Sequence, residues 1–190
     1  HMRRVAEQYG CPLFGGDIAM HDGPLVLTVT VLAEADGVEP IRRGGAIAGD
    51  GIYVTGELGG AWNEQGGGPH LTAEPRIVVA RSLATSKAVQ LHSMIDLSDG
   101  LASDLRHICE QSTVDAEIDA SAIPCRSTVN VQHALNDGED YELCFTAAGE
   151  VPHIVEGISV TRIGTIVERD VGKAAIVLIE TDGSRQSLAA

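Results

Sequence analysis

Aromatic rings are scarce in this chain of 190 residues: one Trp, three Tyr and two Phe. Basic residues are also few, 13 Lys and Arg against 27 Asp and Glu, and the formal charge of -14 argues against a bare polyanion such as nucleic acid as partner. The longest unbroken apolar run, Ala174 to Ile179, is six residues, far short of the roughly 18 to 20 needed to cross a bilayer. No C-x-x-C pair occurs among Cys11, Cys109, Cys125 and Cys144, so there is no zinc or dithiol redox signature, and the expectation is reduced core thiols in a cytoplasmic protein. Neither Gly-x-x-x-x-Gly-Lys-Ser/Thr nor a Gly-x-Gly-x-x-Gly leading into a helix is present, which excludes P-loop and Rossmann readings. The seven histidines form no H-x-x-x-H or H-E-x-x-H pattern, and nothing specific supports a hydrolase.

What is present is an ordinary globular composition, 44% hydrophobic and 21% charged, long enough for one large domain or two small ones. An acidic protein can still bind phosphates when its carboxylates first hold divalent cations. The 22 glycines gather in short clusters that mark turns. Gly15-Gly16-Asp17 follows the apolar run Cys11 to Phe14 and precedes Leu25 to Ala33, whose period-two pattern predicts strand, turn, strand. A second glycine loop, Gly44 to Gly51, leads into a short strand, Ile52 to Thr55. Helical spacing predicts a helix over Arg76 to Leu91 and a second one beginning near Ser98, with Leu101, Leu105, Ile108 and Cys109 on its inner face. Strands are expected at Ala116 to Asp119, Tyr141 to Thr146, Ile158 to Val167 and Lys173 to Glu180, with a hairpin-type turn over Thr181 to Ser184. Helices and strands mix without strict βαβ alternation, so the expected class is α+β.

Three constellations could carry chemistry. Asp96, Ser98 and Asp99 gather two carboxylates and a hydroxyl at a helix start, which reads either as capping or as a cation or phosphate site. Asp104, a turn further on, reads as a solvated charge. Gly16-Asp17 is either an ordinary tight turn or a place where backbone approaches a ligand closely. Asp137, Glu139, Asp140 and Glu142 place four carboxylates in six positions, a solvated acidic turn or a site for a cation or cationic substrate. Arg42-Arg43 before Gly44-Gly45 suits either a phosphate contact or a surface ion pair.

In this order the motifs resemble those of the thiamine-monophosphate kinase family, within the aminoimidazole-ribonucleotide-synthetase-like superfamily. The resemblance runs from Tyr9 to about Leu188. It rests on Gly15-Gly16-Asp17, on Arg43-Gly44-Gly45-Ala46 with Gly49 to Gly56, on Met94 to Leu101 with Ser103-Asp104-Leu105, and on Gly138 to Thr146. It implies transfer of the γ-phosphoryl group of ATP onto thiamine monophosphate with Mg²⁺, without any residue acting as general acid or base. It further implies Gly16, Asp17, Arg43 and Ser98 as nucleotide contacts, Asp17, Asp96 and Asp99 as metal ligands, and Glu139 as a contact to the thiamine end. A homodimer is implied for the full-length protein. The family's front end, with an Asp-Asp pair and a His-Phe element, is not found here, and Arg42-Arg43-Gly44-Gly45 has Gly where the family often has Ser. The resemblance therefore implies a piece of the enzyme, by itself inactive. Residues 1–2 read as a cloning scar, 3–38 as the remnant of an N-terminal ATP-binding domain with its last strands, and 39–190 as a C-terminal domain with a mixed sheet packed with helices. Three other readings remain: a sister branch acting on another acceptor, a non-catalytic dimerisation or nucleotide-binding domain, and a metal-binding protein without kinase activity.

Overall fold

A computed structural model describes residues 2–35, 37–63, 65–127, 129–172 and 175–188. In chain order the elements are α1 (Met2–Gln8), β1 (Gly51–Thr55), α2 (Ile77–Thr85), β2 (Val89–Asp96), α3 (Leu101–Ser112), β3 (Val114–Asp119), α4 (Val131–Asn136), β4 (Leu143–Gly149), β5 (Ile154–Val155), β6 (Ile158–Glu168), β7 (Ile176–Ile179) and β8 (Arg185–Ser187). The chain divides into two compact units, residues 1–34 and 35–190.

The first unit contains α1, and its other described residues form no helix or strand. The strand expected over Leu25 to Ala33, and the one expected over Cys11 to Phe14, do not form. The alternation is real, but a strand exists only when a neighbouring strand takes its N–H and C=O groups, and no described residue does so here. Leu25, Val26, Leu27, Val29, Val31 and Leu32 are all exposed.

The second unit is built on a mixed sheet in the order β2-β4-β1-β6-β3-β7-β8, with β5 paired to β6. All pairs are antiparallel except β3 with β7. Alternate residues feed opposite faces. On one face Ile52, Val54, Ile95 and Cys144 pack with Leu101, Leu105, Ile108 and Cys109 of α3 and Leu135 of α4. On the other, Phe145, Ala147, Val89 and Val160 pack with Val79 and Leu83 of α2, and Phe145 stacks on Tyr53 at 5.2 Å between ring centroids. Among the described residues this is the α+β fold that the element pattern predicts.

Several boundaries differ. The expected helix Arg76 to Leu91 ends at Thr85, because Val89 to Asp96 pairs along β4 from Gly149 to Leu143 and Leu91 belongs to that ladder. The strand expected at Tyr141 begins at Leu143 and runs to Gly149. Lys173 and Ala174, at the start of another expected strand, lie outside the described residues, and β7 is described from Ile176. Of the four free thiols, Cys109 and Cys144 are buried, whereas Cys125 is half-buried and Cys11 exposed, so only two are core residues. No helix among the described residues is long and apolar enough to cross a membrane.

Candidate functional site

The ends of β2 and β4 meet at one edge of the sheet, where Asp96 pairs with Leu143. Beyond that pair the two chains stay joined: Leu97 N donates to the Glu142 carbonyl at 2.7 Å, Tyr141 N to the Leu97 carbonyl at 2.8 Å, and Glu139 N to the Ser98 carbonyl at 2.9 Å. The Asp96–Asp99 and Glu139–Glu142 segments, 40 residues apart in sequence, therefore run side by side. Close approach requires glycine at position 138, where φ is +70° and a Cβ would sit 2.6 Å from the Ser98 carbonyl oxygen. Glu139 and Tyr141 also take left-handed backbone, at φ 59° and 52°.

Asp96 and Asp99 are exposed and Ser98 half-buried. No side chain caps the N-terminus of α3, which starts at Leu101 behind Gly100. The expectation that Asp104 is a solvated charge is wrong: it is 2% exposed and accepts from Ser98 N and Asp99 N, both at 3.0 Å. It folds back from the first turn to take up N–H groups of the preceding loop, which leaves the Asp96 and Asp99 carboxylates without a hydrogen-bonding or ion-pair partner among the described residues. Burial pushes the Asp104 carboxyl above its ordinary pKa, opposed by those two N–H groups and reinforced by the charges of Asp99 and Asp96.

The acidic turn is likewise not simply solvated. Asp140 is fully enclosed, paired with Arg126 Nη1, and accepts from Gly59 N at 3.0 and 3.1 Å. Burial raises its pKa above the ordinary value, with the Arg126 hydrogen bond and Gly59 N–H pulling the other way. Glu142 receives two bonds from Arg76, Nε at 2.8 Å and Nη2 at 2.6 Å, and a third from Thr55 Oγ1 at 2.6 Å. Thr55 Oγ1 in turn accepts from Leu143 N at 2.8 Å, so the end of β1 is tied to the start of β4. Glu139 is half-buried and accepts from the Tyr141 hydroxyl at 2.8 Å; that bond raises the Tyr141 pKa. Beside these pairs lies a cleft of about 280 Å³ lined by Pro69, Thr72, Glu74, Arg76, Arg126 and Tyr141, among others. Arg76, Arg126 and Thr55 were not singled out from sequence, because what marks them is a partner that is remote in the chain.

Arg43 lies on a strip along the outer edge of β2, where Met94 N donates to the Arg42 carbonyl at 3.0 Å, two residues before Asp96. Its side chain is exposed, and no described residue pairs with it. The structure thus brings Asp96, Ser98, Asp99 and Glu139 together on the two paired loops, whereas the strip carrying Arg43 runs back along β2 from Met94 toward His92. Gly16 and Asp17 belong to the first unit; both are exposed, and Asp17 Oδ1 accepts from Ile18 N at 2.9 Å.

Among the described residues no group of three or more His, Cys, Asp or Glu is placed to hold a metal ion. Two unpartnered carboxylates nevertheless fit Mg²⁺, which commonly takes one or two protein carboxylates and completes its shell with water and ligand phosphates.

The sheet, the packed helices and the paired loops define a domain class that comparison with known proteins identifies. Residues 48–177 match the family described as AIR synthase related protein, C-terminal domain, and the chain belongs to that family. Within it, the chain resembles thiamine-monophosphate kinases. It is 36% identical over 179 residues to the thiamine-monophosphate kinase of Rhodopirellula baltica, covering 87% of this chain and 54% of that protein. The crystal structure of thiamine-monophosphate kinase from Stenotrophomonas maltophilia K279a superposes with a TM-score of 0.57 at 29% identity, covering 76% of this chain and 53% of that one. The solved complex of AaThiL with AMPPCP and TMP shares the fold, with a TM-score of 0.57 at 23% identity, covering 78% of this chain and 52% of that one. The chain spans about half the length of the curated relatives it matches.

Proposed function

We propose that this chain is the C-terminal part of an ATP-dependent thiamine-monophosphate kinase. In the reaction the bond between the γ-phosphorus and the β,γ-bridging oxygen of ATP breaks. An oxygen of the thiamine monophosphate phosphate bonds to that phosphorus, and ADP leaves with thiamine diphosphate formed. The observation that carries this reading is the pairing of the Asp96–Asp99 loop with the Glu139–Tyr141 loop beside the Arg43 strip. That arrangement sets the exposed carboxylates of Asp96 and Asp99 on a loop paired with the one that carries Glu139, while Arg43 stands exposed on the strip along β2. The names of the curated relatives support the acceptor.

The attacking group is already an anion, so the work of the site is positioning and charge neutralisation rather than proton transfer. Arg43 pairs with nucleotide phosphate, and Ser98 contacts the nucleotide. Asp96 and Asp99 would hold Mg²⁺, which would neutralise phosphate charge. Glu139, its carboxylate braced by Tyr141, receives the cationic thiamine end. Asp104 is a positioning residue that keeps the Ser98–Asp99 backbone in place. The full-length protein acts as a cytoplasmic homodimer.

The test is phosphoryl transfer by the full-length gene product that carries this chain, given Mg-ATP and thiamine monophosphate, with thiamine diphosphate read by chromatography. Product is the expected result. Bound ATP without product would move the reading to a sister enzyme with another acceptor.

A further inference from the structure

We infer that Ser112, at the far end of α3 from the Asp99 loop, is a positioning residue that holds the strip carrying Arg43 in register along β2. The inference rests on the assignment of Arg43 to nucleotide phosphate. A serine in the last turn of a helix ordinarily bonds back to a carbonyl of its own helix. Ser112 Oγ instead accepts from two consecutive amides of a remote segment, Gly45 N and Ala46 N, each at 3.1 Å. Thr113, in left-handed backbone with φ 58°, ends the helix there and donates its N–H to the carbonyls of Cys109 and Glu110.

The strip passes between two pieces of main chain. A Cβ on Gly45, whose φ is +132°, would sit 2.6 Å from the His92 carbonyl oxygen of β2, and one on Gly44 would sit 3.1 Å from the Gln111 carbonyl oxygen of α3. The run of residues 42–50 is held along its length, and its last residues also pair with Ile166 of β6, Gly49 N donating to the Ile166 carbonyl at 2.8 Å. Upstream, the Arg42 carbonyl accepts from Met94 N at 3.0 Å. In the middle stands Ser112. Downstream, Asp50 Oδ2 accepts from Ile47 N at 2.9 Å, and Asp50 is itself held by His92 Nδ1 at 2.8 Å.

Arg43 lies between the first and second holds. An arginine on a loosely held loop loses both loop and side-chain freedom when it binds a phosphate, whereas one on a clamped strip loses only the latter. Gly45 is exposed, so water can take over its N–H if the hydroxyl is removed, whereas buried Ala46 loses its partner, at the cost of one unsatisfied amide. Loss of Ser112 Oγ should therefore loosen the strip without unfolding the domain.

The experiment compares Ser112→Ala, Ser112→Thr, Arg43→Ala and the double variant Ser112→Ala/Arg43→Ala in the full-length gene product. The readouts are KM for Mg-ATP, kcat, and amide hydrogen exchange at Gly45 and Ala46. Ser112→Ala is expected to raise KM for Mg-ATP roughly tenfold, leave kcat within about twofold, and speed exchange at both amides. Ser112→Thr, which keeps a hydroxyl, should behave like the parent, and the double variant should be no worse than Arg43→Ala alone. Ser112→Ala with parental exchange or parental KM, while Arg43→Ala raises KM, would overturn the positioning role and leave the proposed function standing. Multiplying effects in the double variant would also overturn it, because Ser112 would then act independently of Arg43. Arg43→Ala without effect on KM would remove the Arg43 assignment and the inference with it.

Discussion

Two aspartates five positions apart, Asp99 and Asp104, meet opposite surroundings. Asp104 is buried and committed to two backbone amides, while Asp99 is exposed with its oxygens available to a ligand. A committed carboxylate supports structure, and an uncommitted one beside it can serve a cation. Asp99→Asn in the full-length gene product is accordingly expected to lower turnover by roughly a hundredfold, the scale typical for loss of one charge-stabilising group. Its unfolding temperature should stay within about 2 °C of the parent, because no contact in the domain is removed. Steady-state assays beside thermal unfolding check both halves, and activity within a few-fold of the parent would remove Asp99 from the site.

Along the elements, the joints between strands and loops depend on buried ion pairs. Arg126 compensates Asp140, whose carboxylate is fully enclosed, and Arg76 with Thr55 compensates Glu142. Removing the cation leaves an uncompensated buried charge, so Arg126→Ala should destabilise the domain by about 3 kcal/mol near neutral pH. The sign of its pH dependence follows from Asp140. A carboxyl whose folded pKa lies above its unfolded value holds its proton more tightly when folded, so stability falls as pH rises between the two values. Arg126 lowers the folded value, and its loss widens that interval. The defect of Arg126→Ala should thus be larger at about pH 8 than at about pH 5, where Asp140 can take a proton. Unfolding temperatures of parent and variant at the two pH values read this directly, and an equal defect at both would show that Asp140 does not carry it.

For the molecule as a whole, the exposed apolar residues of the first unit stand out. Leu25 and Leu32 are 85% and 89% exposed, and the run between them is rich in β-branched residues. Such a segment, with unpaired backbone and apolar side chains on both sides, is a template for pairing with another chain. This chain alone should associate in a concentration-dependent way on gel filtration, and Val29→Lys with Val31→Lys should restore the monomer. A parent chain that elutes as monomer at every concentration would mean the segment is covered in solution.

What was legible from sequence was local. Short strand-favouring stretches between turn signals located β1, β6 and β7, and the spacing of Leu101, Leu105, Ile108 and Cys109 located α3, because that face of the helix is buried and the pattern records it. The strings around Asp96 and Glu139 stood out because carboxylates crowded beside glycine are unusual in any context. What was not legible depended on residues far apart in the chain. Asp140 and Glu142 read as solvent-facing until Arg126 and Arg76 close over them, 14 and 66 positions away. Leu91 fitted a helix until β4 supplied a ladder, and Leu25 to Ala33 fitted a strand that finds no partner among the described residues. Composition and periodicity set which surfaces must be buried, since burial of apolar area is summed residue by residue. Which carboxylates are neutralised inside and which stay available for a ligand was decided only by tertiary structure, because a charge's cost depends on the partner brought to it.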